Sequence, residues 1–183
     1  MNWSNFRKRD FESHTKSTGR ALRLRRWIAP LASAVLIAAC AATTPMPDVQ
    51  IGLRNPTVPL GGTSRFDAAR FAGEWHTVAC SGVCATAERY TMATDAVYLR
   101  QTAEGQTPYS IAAPGVLKQI GGTDTLVVMW VDEGFRTAAV GDADGGWAAI
   151  LDRRRAPGVD RVKAAREILD FNGWDISKLR MAK

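Results

Sequence analysis

The chain has 183 residues, 46% hydrophobic and 23% charged, with three Cys and a formal net charge of +6. That length allows one domain with additions and leaves too little chain for two full cores. Eight of the 24 Lys/Arg but only two of the 18 Asp/Glu precede Cys40, so the remainder holds 16 of each and lacks the basic excess that nucleic-acid backbone binding needs.

The N-terminal 39 residues run from a basic region, Arg7 to Arg26, into an apolar stretch that starts at Trp27. A positive region followed by an apolar run too short to span a bilayer as a stable helix is a secretory signal peptide. Ile37-Ala38-Ala39-Cys40 resembles a bacterial lipobox, whose Cys is lipidated and becomes the new N-terminus. The alternatives are ordinary cleavage near Ala42 with Cys40 discarded, and an uncleaved anchor. Ala41 stands where an Asp favours inner-membrane retention, so the resemblance implies an outer-membrane lipoprotein facing the periplasm. Residues 40–62 form the lipidated Cys and a Pro-rich tether, with no period of two or 3.6. A second reading lays Val58-Pro59-Leu60 against the folded domain.

The folded domain is residues 63–183. A strand is expected over 73–80, then a turn at Ser81-Gly82 and a strand over 86–92 with Glu88, Tyr90 and Met92 on one face. Further strands are expected over 96–102, 126–131, 135–140 and 147–153. Residues 104–108 read as a turn, and 109–120 as one bent strand or two short ones around Pro114-Gly115. Gly/Asp turns at 121–124, 132–134 and 141–146 join them. Val162, Ala165, Ile168 and Leu169 stripe one face of a helix over 159–172, ended by Asn172-Gly173, after which 174–179 can add a short strand. The pattern predicts an all-β, up-and-down antiparallel barrel of seven or eight short strands, with one amphipathic helix packed outside.

Arg70-Phe71-Ala72-Gly73-Glu74-Trp75 resembles the Gly-x-Trp opening of the bacterial outer-membrane lipoprotein lipocalin family. The stretch from Gly141 to Arg153, a Gly/Asp turn leading into an aromatic and aliphatic strand that ends in Arg, resembles that family's later signature. Phe171-Asn172-Gly173-Trp174-Asp175 is similar to the segment after its helix. The resemblance implies a barrel-base signature of Gly73, Trp75 and Arg153, with the guanidinium across the indole at the closed end. It also implies a cavity for a fatty acid, a lysophospholipid or another small hydrophobic ligand, with a role in membrane lipid handling and no cofactor. The alternative is a filled barrel acting as a structural or protein-binding envelope lipoprotein.

Strand alternation nominates Tyr90, Met92, Val97, Leu99, Ile111, Val127, Met129, Val131, Ala138, Val140 and Ala148 as cavity wall. Cys80 and Cys84 can close a small loop in an oxidising compartment. The resemblance would pair a Cys near 84 with the third strand, where Thr102 stands instead, and a local disulfide is the expectation. His76 and Cys80 lie about 13 Å apart along a strand, too far to share a zinc ion, so no metal site is expected. With a single His after Cys40, and with acids mostly at turns, the chain offers no paired base and nucleophile and reads as a binder, not an enzyme.

Overall fold

The computed structural model describes residues 52–182. The expected signal peptide, the lipidated Cys40 and the first part of the tether lie outside the described residues. A one-turn helix, α1 (Ala68–Phe71), absent from the expectations above, leads into eight strands. These are β1 (Gly73–Ser81), β2 (Ala87–Met92), β3 (Val97–Thr102), β4 (Gly105–Ala113), β5 (Val116–Gln119), β6 (Thr125–Val131), β7 (Thr137–Asp142) and β8 (Ala148–Asp152). Each is antiparallel to the next, and β1 pairs with both β2 and β8, so the sheet closes on itself. An eight-stranded barrel is just wide enough for side chains to fill it or for one small ligand to enter.

One turn differs from expectation, and the break at Pro114-Gly115 resolves to the second of its two alternatives. The β3–β4 hairpin is tighter, pairing Thr102 with Gly105, because Gly105 takes φ +142, a backbone open to glycine and strained for other residues. The break at Pro114-Gly115 makes two strands, with Gly115 at φ +72. Beyond β8 come α2 (Val159–Phe171), a 3₁₀ turn at Ile176–Lys178 where a strand was expected, and a two-residue strand β9 (Arg180–Met181) paired to Ala79 and Cys80.

Burial has two layers. Inside the barrel lies a cluster that includes Phe71, Trp75, Tyr90, Tyr98, Leu126, Val128 and Leu151. Outside it, Ala165 and Leu169 of α2 pack with Val127, Met129, Ala139, Ile150 and Trp174. Trp174 lies so close to Gly141 that a Cβ there would meet its ring at 2.7 Å. Arg161 ties the start of α2 to the barrel through Thr137 Oγ1 at 2.7 Å and the buried Asp152 at 3.4 Å. Within the expected tether, residues 52–62 lie against this outer layer. Arg54 is 8% exposed and donates to the Asn172 carbonyl at 2.9 Å, and Asn55 N–H donates to Gly173 at 2.7 Å.

Asp132 closes the β6–β7 turn. Its carboxylate accepts from the backbone N–H of Thr137 at 2.8 Å and of Arg136, and pairs with the Arg136 guanidinium at 2.7 Å. Burial alone would raise its pKa, but these donors outweigh burial and hold it below the ordinary value. A carboxylate depressed in the folded state contributes stability above its ordinary range, and that stability is lost as pH falls through the folded value. Asp132→Asn is therefore expected to lose about 1–3 kcal/mol at pH 7. The gap to the parent should narrow as pH drops below about 4, as urea unfolding at pH 7 and pH 3 would show.

Candidate functional site

The closed end is built around one arginine. Gly73 sits at φ +102, and a Cβ there would come within 3.0 Å of Arg153 Nη1. With that space free, the Arg153 guanidinium lies 3.8 Å from the Trp75 ring centroid and donates to the carbonyls of Ala72 and Glu74 at 2.8 Å, Arg70 at 3.0 Å and Phe71 at 3.1 Å. Trp75 is fully buried and donates its indole N–H to the Phe71 carbonyl at 2.8 Å. Above it, ring centroids step from Phe71 to Tyr90 at 5.1 Å and from Tyr90 to Tyr98 at 5.6 Å. This aromatic column occupies the lower barrel.

A buried polar pair crosses the middle. Arg100 Nε and the Tyr90 hydroxyl both donate to Glu88 Oε2 at 2.7 Å, while Glu88 Oε1 has no partner among the described residues. Burial, reinforced by Glu88, pushes the Tyr90 pKa far up, and burial also raises Tyr98 and Tyr109. For Arg100, burial acts downward but Tyr90 and Glu88 outweigh it, so its pKa rises and the guanidinium stays charged.

Above this pair, at the open end, is a cavity of about 190 Å³. Arg100 and Tyr109 form part of its wall, with Leu126 and Trp147 beside them and Asp124 and Asp142 at the rim. The Arg100 guanidinium carbon stands 4.9 Å from the Trp147 ring centroid, a cation–π contact.

The structure sorts the nominated wall residues by the phase of their strands. Tyr90, Val131, Ala138 and Val140 lie in the interior cluster, with Ile111 packed against it. Met92 shares the phase of Tyr90 but ends its strand 42% exposed. Val97 and Leu99 are corrected to the outer face, since Tyr98 and Arg100 take the inward positions of β3. Val127, Met129 and Ala148 are corrected likewise, being buried outside the barrel beneath α2. In β6 a bulge between Val128 and Trp130 shifts the phase, so Leu126, Val128 and Val131 face inward.

Glu88, Arg100, Tyr109 and Trp147 were missed as site residues. Bulky rings at Tyr90, Tyr98 and Tyr109 were the available signal, because they mark the inward phase of three neighbouring strands. Cys80 and Cys84 form a disulfide. Bonded to each other, they offer no thiolate nucleophile. His76 lies on the barrel flank, away from both ends of the interior column.

No protein-family model matches the sequence, and no curated protein matches it. Among solved structures, lipocalin-family proteins give matches with TM-scores below 0.5. Apocrustacyanin C1 and lobster apocrustacyanin A1 each give a TM-score of 0.47 at 13% identity, covering 68% of this chain and 89% of theirs. The siderocalin Ex-FABP gives 0.45 at 15% identity, covering 61% of this chain and 93% of its own. The barrel here stands on its own strand pairing, from β1 round to β8.

Proposed function

We propose that the chain is a lipid-anchored envelope lipocalin that binds the polar head of a small anionic amphiphile, such as a fatty acid or lysophospholipid, at the mouth of its barrel. The observation that carries this is the charged Arg100 guanidinium in the wall of a 190 Å³ cavity shared with Tyr109, Leu126 and Trp147. Arginine recognises carboxylate and phosphate oxygens through paired N–H donors, and the neighbouring rings accept the first carbons of a chain. The cavity is smaller than the roughly 300–1,000 Å³ that buries a drug-sized ligand. A short acid therefore enters whole, and a long-chain lipid enters by its head. Export by residues 1–39, anchoring through Cys40 and a place in the outer membrane facing the periplasm belong to the same proposal and rest on the sequence.

Titrating the full-length chain with octanoate while following Trp emission tests the binding. Saturable one-to-one binding is expected, weakened at least tenfold in the Glu88→Gln/Arg100→Met variant. The aromatic column from Phe71 to Tyr98 favours a second reading, a filled barrel that acts through its surface. Absence of saturation in a protein shown by circular dichroism to be folded would decide for it.

A further inference from the structure

The flank of the barrel holds a larger space than its mouth. β2 leaves β1 after His76 pairs with Ala87, and β9 pairs with β1 at Ala79 and Cys80, followed by Ala182 N–H donating to the Val78 carbonyl at 2.8 Å. Between them the chain from Gly82 to Thr86 folds over the edge of β1, held by the Cys80–Cys84 disulfide and by Thr77 N–H donating to the Thr86 carbonyl at 3.0 Å. α2 packs on the outer faces of β6, β7 and β8. The result is a groove of about 580 Å³, within the size range of ligand sites and about three times the volume at the mouth.

Arg155 and Arg180 line the groove beside His76, and no Asp or Glu among the described residues does. Neither arginine forms an ion pair among the described residues, and His76 Nδ1 is buried without a hydrogen-bond partner. Beside the arginines, the half-buried Pro157 and the 64%-exposed Met181 supply apolar surface. Guanidinium groups with no carboxylate to satisfy them attract phosphate oxygens, and the concave apolar wall suits an alkyl chain more than a flat bilayer surface.

We propose that this groove is a second ligand site, which takes a single-chain phosphate amphiphile by its head between Arg155 and Arg180, with its chain along Pro157 and Met181. The groove shares no residue with the mouth cavity. The test is calorimetric titration of the full-length chain with decyl phosphate below its micelle concentration, comparing the parent with Arg155→Ala/Arg180→Ala. The variant is expected to lose one binding equivalent or to weaken it at least tenfold, and Arg155→Lys/Arg180→Lys to restore most of it. That loss is read whether or not the mouth binds. Unchanged stoichiometry and affinity in the alanine variant would overturn the site. Equal binding of inorganic phosphate alone would overturn the amphiphile assignment. Capture by anionic phosphatidylglycerol vesicles without binding of monomeric decyl phosphate would overturn the groove in favour of surface docking.

Discussion

Arg153→Ala is expected to lower stability by about 3–5 kcal/mol, a large share of the roughly 5–15 kcal/mol that holds a domain of this size together. The guanidinium stacks on Trp75 and donates to four carbonyls around α1 and the start of β1. The stacking contributes about 1–2 kcal/mol. Losing the donors leaves the part-buried Ala72 carbonyl to find another partner. The contributions are not additive, which is why the expected total is less than their sum. At about 3 °C per kcal/mol the melting temperature falls by roughly 10 °C. Lysine should rescue little, because a point charge on a flexible stem cannot stack on the indole and reach several carbonyls at once. Thermal unfolding followed by near-UV circular dichroism would check both variants. A fall of under 3 °C for Arg153→Ala would contradict the clamp.

Arg100→Ala is expected to be nearly as damaging, by about 3–5 kcal/mol, for a different reason. Glu88 has no exposed side-chain surface, and Arg100 is its only cationic partner among the described residues. Removing the cation alone strands a buried acid. Removing both charges in Glu88→Gln/Arg100→Met leaves no stranded charge, and stability should return to within about 1 kcal/mol of the parent. A double-mutant cycle in urea would show the coupling as a difference of at least ~2 kcal/mol between the sum of the single changes and the pair. Simple additivity would mean that the pair is not isolated from water.

The difference between these two sites explains how much of the molecule was legible. Gly73, Trp75 and Arg153 were recognisable because a backbone constraint, an indole and a guanidinium leave a short, specific pattern at fixed places in the chain. The up-and-down barrel followed from Gly/Asp turns and from one amphipathic helix that needed an apolar surface to cover, whereas the choice between seven and eight strands came only with the strand pairing. The inward phase was harder to see. β6 is buried on both sides, so Leu126 and Val127 look alike in sequence although one faces the interior and the other α2. β3 misleads in the opposite sense. Its aliphatic residues, Val97 and Leu99, face outward because the interior holds Tyr98 and the arginine of a buried ion pair. Hydrophobicity alone selects the wrong face wherever the interior is polar or the exterior is covered. The flank groove had no local signature at all, since His76, Arg155 and Arg180 come together only when β9 returns to β1.

The most direct measurement is an octanoate titration of the isotope-labelled full-length chain followed by amide and indole NMR shifts. Binding at the mouth predicts saturating shifts at Arg100, Tyr109, Leu126 and the Trp147 indole, with Trp75 and Phe71 at the closed end unmoved. Shifts running through Tyr98 to Trp75 would mean that the aromatic column opens to admit the chain. No saturating shift at Arg100 or Trp147 would contradict ligand binding at the mouth.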